Sequence, residues 1–218
     1  TSSIAVYGKG QLPMREDMVP MPQDPYGIAK YSVEMDLKVT HEMFGLNYVI
    51  FRPHNVYGEY QNLGDRYRNV VGIFMNQLMQ GKPLTIFGDG SQTRAFSYID
   101  DVAPHIAKCV EIKEAYNEVF NIGGDVDYSV KQLAEEVTKA MSLSQPIRFL
   151  EARNEVQHAY SDHAKSKKVF GINDNDFVSL SNGLQKMAAW AKKTGIKKSK
   201  KFDNIEITEK LPKIWLED

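Results

Sequence analysis

Short β-branched or aromatic runs alternate along this chain with longer stretches whose apolar residues recur at helical spacing, and that alternation constrains the fold more than any other feature. Asn47–Phe51, Leu84–Phe87, Glu118–Ile122 and Ile147–Leu150 read as strands. Asp24 and Pro25 supply a cap and a first-turn proline for a helix with Ala29, Val33, Leu37 and Phe44 on one face, stopped by Gly45. Val70, Phe74 and Leu78 mark a second helix closed near Gly81, and Asp101 begins a third through Val102, Ile106 and Val110. Ser129 and Gln132 form a capping box ahead of Leu133, Val137 and Met141, and Leu180, Leu184, Met187 and Ala191 mark a last long helix ending at Gly195. Strands alternating with helices predict an α/β protein. Ser2–Gly8 reads as a further strand running into a turn, and with Thr1 in place of a start methionine the chain is expected to begin in mid-fold, as a fragment.

Charge narrows the partners. With 27 Lys plus Arg against 28 Asp plus Glu, the net charge of -1 offers no basic domain for nucleic acid or an anionic membrane. Lys192, Lys193, Lys197, Lys198, Lys200 and Lys201 form the single cationic run, which reads as a solvated helix end and tail. Cys109 has no second cysteine to pair with, and five scattered histidines lack the spacing of a metal site. Without an apolar run near ~20 residues or a charged-then-apolar leader, the sequence reads as cytoplasmic.

Tyr26 and Lys30 stand four residues apart on the first helix, where side chains share a face. A tyrosine must fall by about 3 pH units from its ordinary value near 10 to act as a phenolate base near neutrality, and a neighbouring ammonium supplies part of that. The spacing alone arises about once by chance in a chain of this composition. The strand at 47–51 delivers Arg52, Pro53, His54, Asn55, Val56, Tyr57 and Gly58 at its carboxyl end, where ligands of open α/β sheets gather.

Ser3, Tyr26 and Lys30 in this setting resemble the Ser, Tyr and Lys of the extended short-chain dehydrogenase/reductases, specifically the NAD-dependent nucleotide-sugar epimerases and dehydratases. The resemblance continues through 52–58, Ile86–Arg94, Tyr98–Val102 and Phe120–Gly123, and so covers nearly the whole chain. It implies the C-terminal part of a Rossmann-like parallel sheet domain plus a smaller α/β substrate domain. Residues 1–58, re-joined by about 99–124, would belong to the NAD domain, and 59–98 with 125–218 to the substrate domain. The family's glycine-rich GxxGxxG loop is absent, so the adenine and pyrophosphate half of the NAD site must come from residues outside these 218, and the fragment alone is expected to be inactive.

The resemblance also assigns roles. Ser3, Tyr26 and Lys30 are catalytic, and Tyr26, Lys30 and His54 face the cofactor. Asn55 donates its amide to the diphosphate of a nucleotide sugar, and Arg94 grips the same group. Asn69 and Val70 open a helix aimed at the phosphates, and Phe87 lies beside the uracil or in plain core packing. Arg153 and Glu155 resemble a late pair for phosphate and ribose hydroxyls, one residue closer together than in the commonest version. The position four residues after that acid, which sets the size of the sugar pocket, is Ala159, with His158 or Tyr160 taking its place if the shortened loop shifts.

Family dehydratases and decarboxylases carry an acid just after the Ser or Thr, whereas this chain has Ile4 and Ala5. The implied activity is therefore 4-epimerisation of a UDP-hexose, of the UDP-glucose/UDP-galactose type and open to N-acetylated sugars, through a 4-keto sugar. Decarboxylation or epimerisation of a uronic acid, or nucleotide-sugar binding without catalysis, are the competing readings. A homodimer is implied for the complete protein, through the helix bearing Tyr and Lys together with its neighbour.

Overall fold

The computed structural model describes residues 1–10, 12–65, 67–153, 156–198, 209, 211, 212 and 214. They divide into two compact units, Thr1–Val56 with Thr93–Tyr128 and Val156–Val178, and Tyr57–Gln92 with Ser129–Glu155 and Ser179–Asp218. The boundary drawn from the sequence gave 93–98, 125–128 and 156–178 to the substrate region. Here they sit in the first unit, because β4 (Thr93–Ala95) pairs with β9 (His158–Ala159) and α5 (Ala164–Phe170) packs against β6 (Glu118–Ile122).

The first unit is built on β1 (Val49–Pro53) lying parallel to β6, with Phe51 opposite Phe120. These rings sit 5.8 Å apart, and Phe170 of α5 closes on both at 5.5 and 5.0 Å. Val102, Cys109, Ala115 and Ile122 complete this core. The parallel pairing of strands far apart in sequence is what the Rossmann-like expectation required.

Two expectations for this unit change. The opening segment is not a strand: Ser2 alone joins β1, through its N–H to the Phe51 carbonyl at 2.7 Å, and Ile4–Tyr7 then coils into a 3₁₀ turn. The cause is local, since the Ser3 hydroxyl accepts from Ala5 N at 3.2 Å and caps that turn, while Ile4, Val6 and Tyr7 all turn inward. The helix expected from Asp101 also starts later. Ile99–Asp101 is a 3₁₀ turn, α3 spans Ala103–Lys108, and the Asp101 carboxylate accepts from Val178 N instead of capping α3.

Helix α1 (Pro25–Phe44) has the expected ends: Asp24 accepts from Gly27 N at 2.6 Å, and Gly45, at a φ of 70°, closes the helix on the His41 carbonyl. Its expected apolar stripe does not face the unit. Val33, Met35, Val39, Met43 and Phe44 are each about half exposed or more, and the buried positions of α1 are Gly27 and Glu34.

In the second unit β3 (Leu84–Phe87) pairs in parallel with β8 (Ile147–Leu150). Helix α2 (Val70–Met79) packs on α4 (Val130–Met141), and α4 on α6 (Leu180–Thr194). The predicted capping box at Ser129 and Gln132 is formed, and Leu133, Val137, Met141, Leu184, Met187 and Ala191 are buried as their spacing required. Short elements lacked a periodic signal and were not read from the sequence: β2 (Val56–Tyr57), β4, β5 (Ser97–Tyr98), β7 (Asp127–Ser129), β9 and α5. Among the described residues no helix is long and apolar enough to cross a membrane.

Candidate active site

The Ser3, Tyr26 and Lys30 corner is assembled by the contact between the 3₁₀ turn and the start of α1. A Cβ on Gly27 would lie 2.6 Å from the Ala5 carbonyl oxygen, so the glycine is what lets the two backbones meet. Lys30 Nζ donates to the Thr1 carbonyl at 3.0 Å and stands 5.8 Å from the Tyr26 ring centroid. Tyr26 is 56% exposed. The corner thus holds an accessible phenol, an ammonium on the same helical face, and a serine hydroxyl on the segment that the ammonium anchors.

Behind it lies a polar cluster that sequence reasoning missed. Arg52 on β1 makes a two-pronged ion pair with Glu34 of α1, at 2.9 and 2.6 Å, both side chains buried. Its guanidinium carbon sits 4.7 Å from the Tyr7 ring centroid, and the Tyr7 hydroxyl donates to Asn121 Oδ1 at 2.8 Å. Burial pushes the Tyr7 phenol above its ordinary pKa against the pull of Arg52, so Tyr7 stays neutral and is not a base. A Glu at the eighth position after Tyr26 with an Arg ending the next strand was the available signal.

The turn after β1 places two expected residues. Asn55, at a φ of 40°, donates Nδ2 to the Ala95 carbonyl at 2.8 Å, and one amide hydrogen remains for a ligand. His54 is buried, with Nδ1 3.0 Å from the same carbonyl and Nε2 2.9 Å from His163 Nε2. Both its ring nitrogens are engaged inside the unit, so the assignment of His54 to the cofactor gives way to a supporting position under Asn55.

On β4, Arg94 donates to the carbonyls of Thr93, Gln157 and Val156 at 2.7, 2.9 and 2.5 Å, tying β4 to the segment before β9. Ala159, opposite Arg94 in that ladder, packs with Ile4, Val6, Tyr7 and Met14. It is therefore a core position, and a tyrosine there would overpack the cluster as well as narrow any sugar pocket. His158 is exposed and bonded to Thr93 Oγ1, and Tyr160 is half-buried.

In the second unit Asn69, at a φ of 64°, precedes α2 without a side-chain cap, and Val70 is its first residue. The Arg153 guanidinium carbon lies 3.9 Å from the Phe87 ring centroid, a stacked pair that keeps Phe87 half-buried. Glu155 lies outside the described residues.

Residues 1–123, more than half of the chain, match the family described as "NAD dependent epimerase/dehydratase family". The chain belongs to this family. The chain is 33% identical to a UDP-glucose 4-epimerase of Thermotoga maritima solved with UDP-glucose, with a TM-score of 0.80 over 89% of this chain and 62% of that one. A UDP-glucuronic acid 4-epimerase of Bacillus cereus, solved with UDP-glucuronic acid and NAD, gives 33% and 0.80 over 88% of this chain and 60% of that one. A UDP-glucuronate 4-epimerase of Thermodesulfobacterium geofontis is 28% identical over 88% of this chain and 58% of its own length. The chain spans about three fifths of the length of the relatives it matches.

The family is NAD-dependent, and members solved with NAD share this fold. The residues present fit the nicotinamide side of such a cofactor: Tyr26 is open at the start of α1, and Lys30 has ammonium hydrogens to spare beyond its bond to Thr1. The phosphate side would require a glycine-rich loop that the 218 residues do not include.

Proposed function

We propose that this chain supplies the catalytic corner and part of the substrate-binding residues of a UDP-hexose 4-epimerase acting on UDP-glucose and UDP-galactose. The observation that carries the reading is the segment after Ser3. Ile4 is buried and the Ala5 carbonyl lies against Gly27, so neither residue supplies the acid that the dehydratases and decarboxylases of the family carry just after the Ser or Thr.

In this mechanism Tyr26, as phenolate, removes the sugar O4 proton and later returns it. The Ser3 hydroxyl, whose oxygen accepts from Ala5 N, keeps its hydrogen free to donate toward O4 or the phenolate. Lys30 lowers the cost of the phenolate by its charge and holds the nicotinamide ribose. NAD, when bound, supplies reversible acceptance of the C4 hydride. Asn55 donates its free amide hydrogen to the diphosphate, and Arg94 is proposed to turn from its backbone carbonyls toward the same group. Phe87 and Arg153 are proposed to take the uracil and a phosphate, with the start of α2 at Asn69 and Val70 as a further phosphate donor.

The equal likeness to a UDP-glucuronic acid 4-epimerase favours a second reading, a uronic acid as substrate. Turnover of UDP-glucose, UDP-galactose and UDP-glucuronate by the full-length protein separates the two. Tyr26→Phe should lower turnover about 10²- to 10⁴-fold while UDP-glucose affinity stays within about twofold, and retained turnover would refute the mechanism.

A further inference from the structure

A buried chain of polar groups runs through the first unit, and the mechanism above does not use it. The carbonyl of Ala95 can only accept, so His54 Nδ1, 3.0 Å away, carries a hydrogen. Asp125 Oδ1 lies 2.5 Å from His163 Nδ1, and the hydrogen bond to His163 is the main reason why the Asp125 carboxyl falls to about 2. An ionised carboxylate also only accepts, so His163 Nδ1 carries a hydrogen as well. Two neutral rings would then point bare Nε2 lone pairs at each other across 2.9 Å. That contact requires a third proton.

We infer that His163, oriented by Asp125, is a positioning residue for Asn55, acting through a proton shared with the buried His54. The inference rests on the reading that Asn55 meets the diphosphate. His54 and Asn55 donate to the same carbonyl, Ala95 O, while Ser97 Oγ donates to the His54 carbonyl at 3.0 Å and Ser97 N to the Asn55 carbonyl at 3.3 Å. Asn55 thereby inherits the position of the imidazole beside it. When the third proton leaves to water, the Nε2 contact turns repulsive, the His54 ring moves, and the amide loses its aim.

The surroundings favour a single positive charge on the pair. Burial, followed by repulsion from His163, lowers the His54 pKa to about 3, and the Asp125 carboxylate that balances a charge on the pair stands against the His163 ring. From α5, Lys167 pairs with Asp125 and, at 2.7 Å, with Asp174, and so tempers the carboxylate without displacing it. Ser161 Oγ lies 3.0 Å from His163 Nε2, and the Asp162 carboxylate is turned away to Ala164 N.

Two measurements on the full-length protein test this. Proton–nitrogen correlation spectra of the imidazoles should count three ring N–H protons on His54 and His163 at mildly acid pH, and a count of two would overturn the proposal. The affinity for UDP-glucose, whose diphosphate diester does not titrate in this range, should fall about tenfold between about pH 5 and about pH 8, the range in which imidazoles change charge. Asp125→Asn keeps an acceptor for His163 but removes the balancing charge, so the midpoint should move down by about one pH unit. His163→Gln should bind weakly at every pH. An unmoved midpoint in Asp125→Asn, or the parent pH profile in His163→Gln, would overturn the inference. Should His163→Gln fail to fold, Asp125→Asn decides, since that side chain is 45% exposed. If UDP-glucose fails to bind at any pH, the reading of Asn55 falls, and the proton count still decides the histidine pair.

Discussion

His54 shows how far a residue can move from the role its neighbours suggest. Its place beside Asn55 was legible, but its burial and its partner His163, 109 residues away, were not, because nothing local encodes a contact closed by tertiary packing. Burial has a thermodynamic consequence. His54 titrates near 3 when folded and near the ordinary value of about 6.5 when unfolded, so below about pH 6.5 the unfolded chain binds the extra proton and stability falls with falling pH. The expected slope is at most about 1.4 kcal/mol per pH unit, down toward about pH 3. Urea midpoints followed from neutral to acid pH should show this slope, and it should shrink in His54→Gln; equal slopes would mean that other groups dominate.

Among the elements, the Gly123–Gly124 turn after β6 illustrates a position that only glycine fits. A Cβ on Gly123 would lie 2.3 Å from Ser97 Oγ and 2.7 Å from His54 Nε2, and its φ of 151° is one that side chains avoid. Gly123→Ala should destabilise the protein by about 2 to 4 kcal/mol and weaken nucleotide-sugar binding through Asn55, whereas Gly45→Ala, with open space around it, should cost about 1 kcal/mol from its left-handed backbone alone. Thermal unfolding of both variants checks the order. The sequence marked the turn, since two glycines after a strand end it. What the turn packs against was decided by the histidine cluster.

For the whole molecule, α1 is the feature with most at stake. It is tied inward by Gly27 and by the buried Glu34 to Arg52 pair, and removing one partner, as in Glu34→Ala, should cost about 3 to 5 kcal/mol. Its outer face carries Val33, Val39, Met43 and Phe44, each near half exposed or more. We propose that this face forms part of a two-fold homodimer interface in the full-length protein; light scattering should give a dimer, and Val39→Glu with Met43→Glu should shift it to monomer, while an unchanged mass would reject the interface. The sequence by itself determined the order of the four longer strands β1, β3, β6 and β8 and of the helices α1, α2, α4 and α6, the caps of α1 and α4, and the placing of Tyr26 and Lys30 on one helical face, because periodicity, capping and i to i+4 spacing are local, whereas Ser3 joined that pair through the family resemblance. Tertiary structure alone decided that Ala159 enters the core and that two histidines meet. Each depends on which distant surface is there to bury a side chain or complete its hydrogen bonds, and no window of neighbouring residues contains that information.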